Sequence, residues 1–103
     1  MNIQKLMKEA QKAQRKMADA QERLAALSVE GSAGGGLVTV TASGDGQVTK
    51  VRIDPGAVDP DDVTLLEDLV TAAVADAQRK SKELQEREMG DAVGGLGGMP
   101  GLL

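Results

Sequence analysis

The first 27 residues carry apolar side chains in a regular helical pattern. These positions follow one another in steps of three and four residues, and they are Ile3, Leu6, Ala10, Ala13, Met17, Ala20, Leu24 and Leu27. Such steps place the side chains in one narrow seam along an α-helix. The segment has no Gly or Pro, and a seam of this width suits contact with a single partner helix. The pattern therefore predicts a long first helix with one apolar edge.

Two segments in the middle of the chain alternate between apolar and polar positions, as strands do. In residues 37–43, Val38, Val40 and Ala42 share one side. In residues 47–53, Val51 and Ile53 oppose Val48, Lys50 and Arg52. The Gly-Asp-Gly sequence between them predicts a tight hairpin turn, and the glycine-rich residues 28–36 predict a loop or a short edge strand. Two strands alone are unstable in water, so the hairpin must pack on a helix or join a larger sheet.

A second helix is predicted from about residue 60 to residue 89. Asp59 is the expected N-cap and Pro60 the first helical residue. An apolar stripe follows at Val63, Leu66, Val70, Ala73 and Ala77, and it thins afterwards, so we expect this helix to project beyond the folded part. Gly90 is a plausible C-cap. We therefore expect one domain over residues 1–89 and a disordered, glycine-rich tail over residues 90–103.

Charge is distributed unevenly along the chain, although the net charge is only −4. Residues 1–17 contain five bases and one acid, whereas residues 53–76 contain seven acids and no base. The five bases fall within an arc of about 100° on the side of the first helix away from its apolar seam, and they are Lys5, Lys8, Lys12, Arg15 and Lys16. Such a face creates a local positive field. From the sequence alone, a charged helix face is more often simply solvated, and contact with a polyanion is the alternative.

Composition removes most catalytic chemistry from consideration. The chain has no Cys, His, Phe, Tyr or Trp, so it offers no thiol nucleophile, imidazole base, zinc site or aromatic stacking surface. The glycines at 34–36 follow a helix rather than a strand, which argues against a phosphate-binding loop. The acids at 59–62 fit a helix start better than a metal site. We expect no enzyme, no cofactor and no small-molecule substrate.

Neither a signal peptide nor a membrane span is apparent in the sequence, so we expect a cytoplasmic protein. A chain of 103 residues is also too small to bury the apolar seam of a long helix by itself. Self-association through this seam is therefore the default expectation. The predicted dimerisation residues are Ile3, Leu6, Ala10, Met17, Leu24 and Leu27.

Five stretches of the chain together resemble the YbaB/EbfC family of small bacterial nucleoid-associated DNA-binding proteins. They are MKEAQKAQRKM at 7–17, GGGLVTV at 34–40, VRIDP at 51–55, LEDLV at 66–70 with AAV at 72–74, and GMPGL at 98–102. The resemblance implies an α+β fold, in which two long helices flank a small antiparallel sheet. It also implies a homodimer whose protruding helices form a tweezer-like surface for double-stranded DNA in the nucleoid, with little sequence preference.

The predicted DNA-binding residues lie on both helices, with those of the first helix as the principal set. They are Lys5, Lys8, Lys12, Arg15, Lys16, Arg79, Lys80 and Lys82. Without aromatic side chains, phosphate contact is the expected mode of binding. The alternative is a protein interaction module that uses the apolar seam of the first helix, with the lysines serving only solubility and no direct role in DNA binding.

Overall fold

The computed structural model of the chain describes residues 2–92, with side chains described through residue 90. Helix α1 (Ile3–Ala26) is followed by strands β1 (Ser28–Ala33), β2 (Val38–Ser43) and β3 (Val48–Ile53), and then by helix α2 (Val63–Ala92). The strands form one antiparallel sheet in the order β1-β2-β3. The α+β fold expected from the sequence is confirmed. The glycine-rich segment contains a true edge strand, which is followed by a single 3-10 turn at Gly34–Gly36.

The core lies between α2 and the two strands that this helix covers. Val38, Val40 and Ala42 of β2 pack without solvent exposure against Ala73 and Ala77 of α2. Small residues bring the layers unusually close, since a Cβ added at Gly31 of β1 would lie 2.2 Å from the backbone nitrogen of Ala77. Strand and helix backbones are therefore in direct contact at this point.

Polar contacts on both flanks of α2 fix its position on the sheet. On the β1 side, Asp76 accepts a hydrogen bond from the backbone N–H of Ser32 at 3.0 Å, and the Lys80 ammonium donates to the carbonyl of Glu30 at 2.9 Å. On the other side, the buried hydroxyl of Ser81 lies within 3.1 Å of the Ser43 carbonyl. These contacts satisfy polar groups that the close packing would otherwise bury alone.

Helix α2 begins later than the sequence pattern predicts. The carboxylate of Asp62 accepts from the backbone N–H of Leu65 at 3.2 Å, as an N-cap side chain does. Asp59, the predicted cap, instead accepts from the N–H of Asp61 at 3.0 Å in a turn that includes Pro60. The prediction of Asp59 as cap and Pro60 as first helical residue was wrong, because an Asx turn is formed by the same residue types.

Strand β3 lies at the edge of the sheet and is exposed on both sides. In the ladder, Val51 and Ile53 stand opposite the buried Val40 and Val38, so they share the face that α2 covers elsewhere. A register shift between Thr41 and Ala42 places Val48 opposite Ala42, on that same face. The predicted position of Val48 beside Lys50 and Arg52 was therefore wrong, because a bulge changes the alternation.

The C-terminal part of α2 packs beside α1 rather than projecting alone. Leu24 of α1 lies against the backbone at Gly44, and Arg23 pairs with Glu88 of α2 at 3.2 Å. The helix runs through Gly90 to Ala92, so the prediction of a C-cap at Gly90 was wrong. Residues 93–103, the remainder of the predicted tail, lie outside the described part of the chain.

Candidate nucleic-acid interface

The N-terminal half of α1 extends away from the folded body. Residues 2–12 are all exposed, and the helix is first fully buried at Ala20 and then at Leu24. The molecule measures 71 Å along its longest axis against 24 Å and 16 Å across. A 24-residue helix contributes about 36 Å of length, so α1 presents a long surface to solvent.

The five bases between Lys5 and Lys16 lie on this extended surface, and every one of them is exposed. Among the described residues, none of them has an acidic oxygen within 4.0 Å. From Lys5 to Lys16 they cover about 16 Å along the helix axis. The positive charge of this face is therefore available to an external anion rather than neutralised by the protein itself.

The start of α1 adds to this positive potential. Asn2 caps the helix, since its side-chain oxygen accepts from the backbone N–H groups of Gln4 at 3.0 Å and Lys5 at 3.3 Å. The first turn contains no acidic residue, although acids there would stabilise the helix dipole. Bases near a helix N-terminus are mildly unfavourable for the isolated helix. Lys5, the one base in this first turn, therefore leaves the positive end of the helix dipole uncompensated.

Two of the three predicted bases on α2 are held by the protein itself. The Arg79 guanidinium pairs with Asp76 at 2.8 Å and with Glu83 at 2.9 Å, and Lys80 pairs with Asp76 at 3.3 Å. The hydrogen bond from Arg79, helped by the Ser32 N–H and by Lys80, lowers the pKa of Asp76 to about 2. Lys80 and Asp76 therefore attach α2 to β1, while Arg79 pairs with residues of its own helix. Lys82 is exposed and has no ion pair within the described range.

The predicted dimerisation residues separate into two groups. Ile3, Leu6 and Met17 expose 70%, 53% and 39% of their surface, and Ala10 is exposed as well. Leu24 is only 3% exposed, because it packs within its own protomer. Its assignment to a partner interface is therefore corrected. Leu27, just past the helix, is 41% exposed.

Sequence reasoning missed the exposed apolar face of β3 and the role of Asp76. The first depends on strand pairing, which no local pattern reveals. The second had a local signal, because Asp76 precedes Arg79 by three residues and Lys80 by four, the spacings that bring helical side chains together. In residues 2–92, no group of three or more acidic side chains is placed to hold a metal ion.

The chain belongs to the YbaB/EbfC DNA-binding family, whose family model matches residues 1–96. Neither described helix is both long enough and apolar enough to cross a membrane.

Individual relatives match over almost the whole chain. A nucleoid-associated protein of Saccharopolyspora erythraea is 54% identical over 101 residues, which is 98% of this chain and 87% of the relative. A nucleoid-associated protein of Acetivibrio thermocellus is 52% identical over 101 residues, covering 98% and 89%. The crystal structure of an uncharacterised Helicobacter pylori protein superposes with a TM-score of 0.74, covering 84% of this chain and 91% of the other. At 18% identity, that similarity concerns the fold alone.

Proposed function

We propose that the protein is a nucleoid-associated protein that binds double-stranded DNA as a homodimer, mainly through phosphate contacts and with little sequence preference. The family is a DNA-binding one, and relatives of about 50% identity are nucleoid-associated proteins. The observation that supports the proposal most directly is the row of five exposed, unneutralised bases on the extended half of α1. In the cell, the protein would alter DNA conformation and the organisation of the nucleoid, with effects on gene expression or DNA protection.

The side chains available on α1 favour contact with phosphates over recognition of base edges. Four of the five bases between Lys5 and Lys16 are lysines. Lysines bind phosphate as compact point charges, whereas specific contacts to guanine commonly use the bidentate arginine fork. The chain also lacks aromatic residues on which unpaired bases could stack. Duplexes of equal length and different sequence should accordingly bind with similar affinity.

The proposal predicts a steep dependence of affinity on salt concentration. Two copies of the five-base face would neutralise at most about ten phosphates, and log K falls by about 0.9 per phosphate for each unit of log salt. Contact by half of the bases gives a slope near −4.5 and roughly a 500-fold loss of affinity between 50 and 200 mM salt. A protein interaction module without a role in DNA binding would show no such slope.

Charge reversal on α1 tests the mechanism. In the triple variant Lys8→Glu, Lys12→Glu, Arg15→Glu, we expect gel-shift binding of a duplex to disappear at low salt, while the sedimentation coefficient and melting temperature stay near those of the wild type. Unchanged DNA affinity of this variant would refute the assignment of α1 as the DNA-binding surface.

A matched control separates the position of the charges from their number. The triple variant Lys50→Glu, Arg52→Glu, Arg87→Glu makes the same change in net charge at exposed residues of β3 and α2. When both triple variants are also compared at physiological salt, this control should retain most of the wild-type affinity, since long-range repulsion between exposed charges is then largely screened. Equal loss in both triple variants would mean that net charge alone governs binding.

A further inference from the structure

Helix α2 covers one face of the sheet over β1 and β2 but not over β3. On this uncovered part of the face, β3 carries apolar side chains. Val48, Val51 and Ile53 are 36%, 44% and 39% exposed, and their ladder partners are the fully buried Ala42, Val40 and Val38. We call this exposed strip, together with the neighbouring flank of α2, the β3 trough.

The flank of α2 forms one wall of this trough. Val70 and Val74 are only partly buried against the core. By helical position, they lie on the same side of α2 as Ser81, whose hydroxyl bonds to Ser43 and Gly44 at the β2–β3 turn. They therefore face toward β3 rather than toward β1. An apolar surface as long as one strand is therefore left uncovered beside α2.

The same chain contains an apolar helix edge without a partner. The segment of α1 from Ile3 to Met17, here called the arm, exposes 53% of Leu6 and 58% of Met7. It is about 21 Å long, and the six residues of β3 extend over about 17 to 20 Å. Because α1 is anchored at Ala20 and Leu24, its N-terminal half is carried away from the trough of its own protomer.

Charges also match between the two surfaces. The arm contains five bases and one acid. Acids follow directly where β3 ends and α2 begins, at Asp54, Asp59, Asp61 and Asp62, with no base between residues 53 and 76. At long range, opposite potentials speed the approach of the two surfaces, whereas in the contact itself the bases lie on the side of the arm away from its apolar edge.

We propose that the arm of one protomer packs its apolar edge into the β3 trough of a second copy, and that the second copy reciprocates. This inference rests on the homodimer of the proposed function, and it replaces contact between two α1 seams with exchange of arms. A stable dimer buries roughly 800 Å² per partner, and each protomer here supplies both an arm and a trough. With the apolar edge covered, the bases on the other side of the arm face outward, toward DNA.

Single cysteines test the arrangement, because the wild-type chain has none. Ala10→Cys lies in the middle of the arm and Val51→Cys in the middle of β3. The two cysteines are therefore close to each other whether the arm runs parallel or antiparallel to β3. Lys50→Cys is the control, since it lies next to Val51 on the opposite face of the sheet. Differently tagged variants are co-expressed, purified, treated with a short bismaleimide and separated on a denaturing gel.

Arm exchange predicts a covalent heterodimer from the Ala10→Cys and Val51→Cys pair, at least tenfold more abundant than from the Ala10→Cys and Lys50→Cys pair. Efficient cross-linking of Ala10→Cys to itself, with no preference for Val51→Cys over Lys50→Cys, would overturn the proposal in favour of contact between seams. A monomer in sedimentation, or a dimer that gives no cross-link, would overturn it as well.

Failure of this inference is distinguishable from failure of the proposed function. Gel shifts with the charge-reversed variants report on DNA binding whatever the interface is. Normal DNA binding without the arm-to-trough cross-link would refute only the proposed dimer interface. A strong cross-link without DNA binding would refute only the proposed role in DNA binding.

Discussion

Replacing Gly31 by alanine tests the close packing of β1 on α2. An added Cβ would lie 2.2 Å from the Ala77 nitrogen and 2.4 Å from the Ala73 carbonyl oxygen. Ordinary contacts of a Cβ begin near 3.4 Å, so strand and helix would have to separate by roughly 1 Å. Both neighbours are backbone atoms, and rotation of a side chain cannot relieve the overlap.

The cost of that separation follows from the bonds that fasten α2 to β1. The bonds from Ser32 to Asp76 and from Lys80 to Glu30 measure 3.0 and 2.9 Å, so a displacement of this size would stretch them beyond useful hydrogen-bond length. Each such bond contributes about 1 kcal/mol, and overpacking itself costs about 1–3 kcal/mol. We expect Gly31→Ala to lower the free energy of unfolding by at least about 3 kcal/mol.

Thermal unfolding measures this loss directly. In a domain of this size, 1 kcal/mol corresponds to roughly 4–8 °C, so the melting temperature should fall by at least roughly 12 °C. Wild type and variant are compared at equal protomer concentration, because association would shift the midpoint. The control is Gly90→Ala, whose Cβ meets nothing within 4 Å and should leave the midpoint unchanged or slightly higher. A shift of less than about 3 °C in Gly31→Ala would refute the close packing of β1 on α2.

Two further predictions concern residues that hold the helices in place. Because the folded-state pKa of Asp76 lies at about 2, below its ordinary value of 3.8, ionised Asp76 stabilises the fold above about pH 4, and the contribution is lost as pH falls toward 2. In urea titrations near neutral pH, Asp76→Asn should therefore have a lower free energy of unfolding than the wild type, and this difference should disappear between about pH 4 and pH 2. A difference that does not change with pH would contradict the ion pairing. Leu24→Ala should lower the free energy of unfolding by about 2–4 kcal/mol. Leu27→Ala truncates an exposed side chain and should lower it by less than about 1 kcal/mol. Equal losses would show that Leu24 is not buried within the protomer.

Local patterns in the sequence were sufficient for the elements themselves. The seam of α1 and the alternation of β2 each repeat a single period, and the structure places Val38, Val40 and Ala42 on the buried side as expected. The start of α2 was ambiguous in the sequence because Asp59, Asp61 and Asp62 are all suitable caps. Tertiary packing determines which carboxylate takes that role.

The candidate site was predictable as far as it depends on one helix. The basic face of α1 can be predicted from the helical periodicity alone, and all five bases of this face are exposed. Arg79 is exposed, as expected, but it pairs with Asp76 and Glu83. Lys80 is held by the Glu30 carbonyl and by Asp76. The open face of β3 could not be predicted, because it depends on a bulge and on how much of the sheet one helix can cover.

Arm exchange and DNA binding use opposite sides of the same helix, so loss of the dimer should change the salt dependence of DNA binding without removing a base. Leu6→Ser places a polar side chain on the arm at a position that is 53% exposed in the protomer. It should yield a monomer that presents one five-base face to DNA instead of two. The slope of log K against log salt should then fall to about half of the wild-type value. Leu65→Ser is the matched control, since Leu65 is 49% exposed but lies on α2, outside both the arm and the trough. A monomeric Leu6→Ser protein with an undiminished slope would mean that one protomer alone makes all of the phosphate contacts.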